Sequence, residues 1–129
     1  MFTKKNIVIL AFVLVAFSSI AIAKMSDDFC QEDYNKLLSG DKDMVGAQLE
    51  GVNLSGKDLS GVNFADAELE KVNFKKANLS NVNFKNADLE EANLMGANIT
   101  GANFSNAELE FASWVDGRVC AEDSVGGCW

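Results

Sequence analysis

Large apolar residues recur at every fifth position along most of this chain. In residues 65–84, ADAELEKVNFKKANLSNVNF, they are Leu69, Phe74, Leu79 and Phe84. An α-helical face repeats at about 3.6 residues and a strand face at about 2, so neither element accounts for this spacing. The same register runs through residues 42–116 without a gap, and all fifteen central positions are apolar. The pattern predicts a backbone that turns once per pentapeptide.

The positions around each apolar centre repeat as well. Ala or Val stands two residues before the centre in thirteen of fifteen pentapeptides, and the exceptions are Lys42 and Lys57. Asn or Asp mostly stands between, and Gly, Asn or Asp recurs two residues after the centre. These three residue types tolerate the left-handed backbone of tight turns. A turn is therefore predicted at the end of each pentapeptide.

The centres also sort by residue type at a separation of twenty. They form four columns, which define sides 1 to 4 in this order: Met44, Phe64, Phe84 and Phe104; Leu49, Leu69, Leu89 and Leu109; Leu54, Phe74, Leu94 and Trp114; Leu59, Leu79 and Ile99. A period of five alone does not stack Phe on Phe and Leu on Leu. Four pentapeptides therefore make one coil. The predicted structural core is Phe64, Leu69, Phe74, Phe84, Leu89, Phe104 and Leu109.

The pentapeptides ANLSN, ADLEE, ANLMG and ANITG follow the pattern A-(D/N)-L-x-x, which resembles the pentapeptide-repeat family. The resemblance covers residues 42–116, the predicted solenoid. It implies an all-β fold, a right-handed quadrilateral β-helix in which each pentapeptide forms one side of a square. Fifteen pentapeptides give about 3.75 coils.

The first residues of the chain have the features of an export signal. Lys4 and Lys5 precede an apolar run at residues 7–17, and Ala21-Ile22-Ala23 ends the segment. Because this order is typical of a secretory signal peptide, residues 1–23 are predicted to be cleaved and the protein to be periplasmic or secreted. An uncleaved membrane anchor is the alternative, since the apolar run nearly reaches the length that spans a bilayer.

Residues 24–41 are predicted to form a short helix that caps the first coil. Ser26 or Asp27 suits its N-terminus, and Gly40 suits its end. The residues expected on its apolar face are Phe29, Cys30, Tyr34, Leu37 and Leu38. A solenoid needs covered ends, so capping is favoured over a partner-binding helix.

Residues 117–129 form the predicted C-terminal tail. Its sequence resembles a tail of exported bacterial members of the family, with the pattern W-x-D-G-x-x-C followed by G-x-C. On that resemblance we pair Cys120 with Cys128 in a disulfide that closes a short loop. Cys30 is left as a buried thiol, an intermolecular link or a sign that the tail folds back.

Stacking at twenty places seven carboxylates on side 2, which we call the acidic face. They are Glu50, Glu68, Glu70, Asp88, Glu90, Glu108 and Glu110. Neighbours in a column are expected about 5 Å apart and repel by about 1 kcal/mol in water. We interpret the face as a candidate surface for a basic partner. A solvated surface copied by duplication and loose binding of Ca²⁺ or other hard cations are the alternatives.

Charge and composition narrow the function. Removing Lys4 and Lys5 leaves 9 basic against 19 acidic residues, a net charge of −10, which disfavours nucleic acid and anionic membranes. The chain has no histidine, which excludes Ser-His and Cys-His catalysis. We predict a non-enzymatic, exported protein-interaction or scaffold module with no cofactor and no metal site.

Two further hypotheses come from the resemblance. Some members of the family mimic DNA and protect gyrase from quinolones, which is the alternative function if the chain stays in the cytosol. The family often dimerises through its C-terminal end, and aromatic residues near that end suit a homodimer. They are Phe111, Trp114 and Trp129.

Overall fold

The computed structural model describes residues 31–129. The predicted signal peptide, the helix cap at Ser26 or Asp27, and Cys30 lie outside these residues. Within the described part, one α-helix, α1, spans Gln31–Leu38, and every β contact is an isolated bridge. No helix in this part is long and apolar enough to cross a membrane.

Parallel bridges connect residues twenty apart, from Asp43–Asn63 to Asn93–Ser113. Each bridge lies at the residue before an apolar centre, so every side contributes one rung per coil. The amide of a centre donates to the next coil, as Leu54 N does to Asn73 O at 2.8 Å. The twenty-residue coil is therefore the repeat of the backbone, as the apolar columns predict.

Each pentapeptide ends in a tight turn. The residue two positions after each centre, from Gly46 to Phe111, has a left-handed backbone with φ between +55° and +72°. The next amide donates to the carbonyl of the centre, as Ala47 N does to Met44 O at 3.1 Å. A hydrogen bond across four residues with a positive φ at the third is the arrangement of a type II turn.

Side chains at the bridge positions connect the coils along the outside. On side 1, the amide of Asn83 donates to Asn63 at 2.9 Å, and the amide of Asn103 donates to Asn83 at 3.2 Å. The Asn83 oxygen also accepts from Lys85 N at 3.1 Å, which closes an Asx turn. Side 4 carries a similar ladder through Asp58, Asn78 and Asn98. This double role explains why Asn recurs at that position.

The interior is filled by the predicted apolar columns. Phe64 and Phe84 are fully buried and stack with ring centroids 5.8 Å apart, while Phe74 meets Phe84 edge to face at 5.8 Å. The Leu column of side 2 is also buried throughout. Phe104 differs from the expectation, because it is only partly buried. It belongs to the last coil, where no further coil covers side 1.

Helix α1 lies against the first coil. Leu37 is buried, and the Asp33 carboxylate accepts from Gln48 N at 2.9 Å. The helix ends in a Schellman motif, in which Gly40 N donates to Leu37 O and Asp41 N donates to Lys36 O.

The prediction that Leu38 faces the core is wrong, because 51% of Leu38 is exposed. Successive residues of a helix are about 100° apart, so Leu38 points away when Leu37 points inward.

The tail folds back over the last coil. It forms antiparallel bridges Ser113–Val119 on side 3 and Glu108–Val125 on side 2. The reversal is a three-residue hairpin loop, in which Trp114 N donates to Arg118 O at 2.8 Å and Gly117 has φ +88°. Cys120 is bonded to Cys128, with their Cα atoms 4.8 Å apart.

Candidate functional site

The backbone brings the seven carboxylates of the acidic face together in two columns. Bridges align Gln48, Glu68, Asp88 and Glu108 in one column. Hydrogen bonds from residues 51, 71 and 91 to the carbonyls of Glu70, Glu90 and Glu110 align the other column. The acidic face is therefore a direct consequence of the twenty-residue coil.

Three carboxylates approach closely at the centre of this face. Glu70, Asp88 and Glu90 are each half-buried, and one oxygen from each lies within 4.8 Å of the others. Burial raises the pKa of the Glu70 carboxyl, and the charges of Asp88, Glu50 and Glu90 raise it further. Lys71 opposes this increase, and its Nζ lies 3.8 Å from a Glu50 oxygen.

The bridge column of side 2 departs from the ladder found on sides 1 and 4. Asp88 still accepts from Glu90 N at 3.0 Å, as an Asx turn requires. Glu68 and Glu108 are one methylene longer, and within residues 31–129 neither side chain forms a hydrogen bond with a neighbouring coil. Both are exposed. Within residues 31–129, side 2 therefore presents two free carboxylates at bridge positions, where sides 1 and 4 present hydrogen-bonded side chains.

The tail extends the acidic face beyond the repeats. Burial raises the pKa of the Glu110 carboxyl, and the charges of Glu90, Glu122, Asp123 and Glu108 add to this increase. The amino-acid sequence alone did not predict that Glu122 and Asp123 extend this face, because it does not show in which direction the tail runs across the last coil. The signal available was their position between two cysteines of a short loop.

The carboxylates of the acidic face attract positively charged ligands. Glu70, Asp88 and Glu90 are the one group of three acidic, His or Cys ligands close enough for a metal ion in the described part of the chain. Their carboxylate oxygens suit hard cations such as Ca²⁺. The same columns also match the ammonium or guanidinium groups of a basic polypeptide.

Only part of the aromatic cluster predicted at the C-terminal end is on the surface. Phe111 is 47% exposed and Trp129 is 67% exposed. Trp114 instead packs on Phe104, with ring centroids 5.3 Å apart, and is half-buried. Phe111 and Trp129 are therefore the more exposed of the three rings.

Solved structures with similar folds are themselves pentapeptide-repeat proteins. One from the thylakoid lumen of Arabidopsis thaliana is 35% identical with a TM-score of 0.54, covering 55% of this chain and 49% of that one. Rfr23 from the cyanobacterium Cyanothece 51142 is 38% identical with a TM-score of 0.54, covering 54% and 48%. QnrB1, a plasmid-mediated fluoroquinolone resistance protein, is 25% identical and covers 56% and 51%, but its TM-score of 0.37 supports no shared activity.

The chain spans about half the length of these relatives. No curated protein matches it. A family profile described as pentapeptide repeats matches residues 43–81 and 77–110, with eight copies. The twenty-residue coil, this match and the solved relatives agree. The chain therefore belongs to the pentapeptide-repeat family, whose members form right-handed quadrilateral β-helices.

Proposed function

We propose that this protein is an exported, non-enzymatic interaction or scaffold module that binds a basic partner through its acidic face. The observation that carries the proposal is the change in chemistry on side 2. At this position Asn closes an Asx turn on sides 1, 3 and 4, whereas within residues 31–129 Glu68 and Glu108 leave their carboxylates free and add like charge. Residues that destabilise a fold locally are typical of functional surfaces.

The electrostatics of the face support a charged partner. The pKa values of Glu70 and Glu110 are raised by burial and by neighbouring carboxylates, so these carboxylates repel one another. A basic partner relieves that repulsion when it binds. The excess of acidic residues over the whole chain speeds the approach of such a partner, and salt screens the effect.

The export part of the proposal comes from the amino-acid sequence. Residues 1–23 have the order of a signal peptide, and a disulfide between Cys120 and Cys128 suits an oxidising compartment. We therefore place the partner in the periplasm, in the envelope or outside the cell.

The test is capture of partners from periplasmic or envelope extract with residues 24–129. The parent is compared with a variant neutralised on the acidic face: Glu70→Gln, Asp88→Asn, Glu90→Gln and Glu110→Gln. A matched control loses the same number of charges elsewhere: Glu32→Gln, Asp43→Asn, Asp66→Asn and Asp116→Asn. We expect a basic protein that is captured by the parent and the control and lost from the face variant. Equal capture by all three proteins contradicts the proposal.

A further inference from the structure

Among residues 31–129, half of the β edge of the last coil has no backbone partner. On sides 2 and 3 the tail satisfies this edge, with Leu109 N donating to Ser124 O and Trp114 N donating to Arg118 O, both at 2.8 Å. On sides 4 and 1 the equivalent donors and acceptors have no backbone partner among residues 31–129. They are Ile99 N, Phe104 N, Ala97 O and Ala102 O. We call residues 97–106 the bare edge.

The bare edge also exposes apolar side chains. Ala97, Ile99, Ala102 and Phe104 are half-buried. Their counterparts one coil earlier are all at most 1% exposed: Ala77, Leu79, Val82 and Phe84. A strand that paired with this edge would therefore gain hydrogen bonds and cover apolar surface together.

The opposite end of the solenoid is protected on the same two sides. Lys42 on side 1 and Lys57 on side 4 occupy positions that hold Ala or Val in every other pentapeptide, and both are exposed. Charged residues, especially lysine, protect edge strands against the addition of further strands. The last coil has Ala102 and Ala97 at the corresponding positions, so only the first coil carries this protection.

The tail shows how a polypeptide pairs with this edge. On side 3, the carbonyl of residue 118 accepts from an amide of the coil, and the amide of residue 120 donates to a carbonyl of the coil. On side 2, residue 124 accepts and residue 126 donates in the same way. The tail runs antiparallel from side 3 to side 2 and would reach side 1 next. It turns back instead, because Cys128 is bonded to Cys120 and Ala121 N donates to Trp129 O at 2.9 Å.

We propose that the bare edge is a docking site for an extended segment of a partner polypeptide. The segment adds as an antiparallel strand and continues the pairing that the tail makes on sides 2 and 3. On each side, one of its residues donates to the Ala carbonyl, and the residue two positions earlier accepts from the amide of Ile99 or Phe104. The inner residues of the segment are apolar, because they cover Ile99 and Phe104. The outer residues here are neutral, namely Asn98, Thr100, Asn103 and Ser105, so charge does not select the segment. This site does not depend on the acidic face.

The test uses a phage-displayed library of peptides of about 12 residues, a length that spans two sides. It is screened against the parent chain, purified without reductant, and against a variant with Ala97→Lys and Ala102→Lys. These changes copy the lysines of the first coil onto the last. A control with Val45→Lys and Ser55→Lys adds the same charge at exposed positions far from the bare edge.

We expect some peptides to be enriched equally on the parent and the control. Their enrichment on the edge variant is expected to be at least about tenfold lower. Should the edge variant fail to fold, hydrogen exchange on the parent decides, because a selected peptide must slow exchange at the amides of Ile99 and Phe104. Equal enrichment on all proteins, or no enrichment, overturns the proposal. Self-association of the parent that the edge variant abolishes also overturns it, since the occupant is then a second copy.

Discussion

At the scale of single residues, the coil imposes a left-handed backbone wherever the register requires it. Gly, Asn and Asp occupy most of these positions, but Lys71, Lys76, Glu91 and Phe111 adopt the same conformation. A left-handed conformation costs an L-residue with a Cβ about 1–2 kcal/mol. Hydrogen bonds to the next coil hold Lys71, Lys76 and Glu91 in place, as when Glu91 N donates to Glu110 O at 2.9 Å.

Replacing Glu91 by Gly is therefore expected to stabilise the protein. Glu91→Gly removes a side chain at φ +56°, and Glu91→Ala serves as the control that loses the charge but keeps the Cβ. We expect the glycine variant to exceed the alanine variant by about 1 kcal/mol in free energy of unfolding, measured by denaturant titration. Equal stability of the two variants would show that the turn imposes no strain at this residue.

The titration of Glu70 predicts how stability depends on pH. Its pKa is raised in the folded protein, so the folded state binds this proton more tightly than the unfolded chain does. The contribution is fully present below the ordinary glutamate pKa and is lost as pH rises through the higher folded value. We expect a higher melting temperature near pH 5 than near pH 7 at low salt, with a smaller difference in Glu70→Gln.

The same low-salt experiment separates general screening from cation binding. Sodium and calcium chloride at equal ionic strength are expected to raise the melting temperature alike if the carboxylates only repel one another. A larger rise with calcium that Asp88→Asn removes would indicate a cation held by Glu70, Asp88 and Glu90.

At the scale of one side of the square, the side chains at the bridge positions determine whether that side gains hydrogen bonds or carries negative charge. Asn83 on side 1 bonds to Asn63 below it and to Lys85 N in its own turn. Asp58 on side 4 accepts from Ser60, and hydrogen bonds from this residue lower the pKa of Asp58. On side 2 the pKa of Glu70 moves in the opposite direction. Hydrogen bonds therefore stabilise the charge of Asp58 at a bridge position, whereas burial and like charge disfavour the charge of Glu70, which follows a centre.

Returning side 2 to the ladder pattern is expected to stabilise it. Glu68→Asn and Glu108→Asn supply side chains short enough for the Asx turn and remove two like charges. Glu68→Gln and Glu108→Gln remove the same charges but keep the longer side chain. We expect the Asn pair to be more stable than the Gln pair by about 1–2 kcal/mol in free energy of unfolding. If the two pairs are equal, charge alone distinguishes side 2.

The aromatic column of side 1 predicts a gradient of packing energy along the solenoid. Phe84 is fully buried between Phe64 and Phe104, at centroid distances of 5.8 Å and 5.1 Å. Phe84→Ala is expected to cost about 3–5 kcal/mol in free energy of unfolding. Phe104→Ala is expected to cost clearly less, because Phe104 is partly exposed. Equal losses would show that the end of the solenoid is as closely packed as its middle.

At the scale of the whole molecule, the two ends are closed in different ways. Helix α1 covers the first coil through Leu37 and Asp33, while the tail covers two sides of the last coil with antiparallel bridges. A coil contacts only its neighbours, so the ends must be covered by segments outside the repeat. The disulfide holds the tail in the conformation that meets the last coil.

Removing the disulfide is expected to release the tail. Cys120→Ser with Cys128→Ser opens a loop whose ends are 8 residues apart; such a crosslink is worth about 2–3 kcal/mol. We expect faster hydrogen exchange at the amides of Leu109 and Trp114 and unchanged exchange at Leu69, far from the tail. Unchanged exchange at all three amides would show that hydrogen bonds hold the tail without the crosslink.

The amino-acid sequence by itself determined the coil and the membership of each side. Residues twenty apart must stack, because each pentapeptide is one side and its neighbours lie at a constant separation along the chain. That rule places the Phe column inside and the seven carboxylates together on one outer face. It also predicts a turn at the end of each pentapeptide, although Lys71, Lys76, Glu91 and Phe111 occupy left-handed positions where Gly, Asn or Asp is expected.

The tertiary structure alone decided what happens where the repeat stops. The antiparallel course of the tail, the addition of Glu122 and Asp123 to the acidic face, and the bare edge depend on contacts between non-repeating segments and the last coil. The exposure of Leu38 depends likewise on how α1 meets the first coil. A repeat in the sequence predicts only contacts that recur in every coil. The contacts of the tail and of α1 occur once each, so the repeat spacing does not predict them.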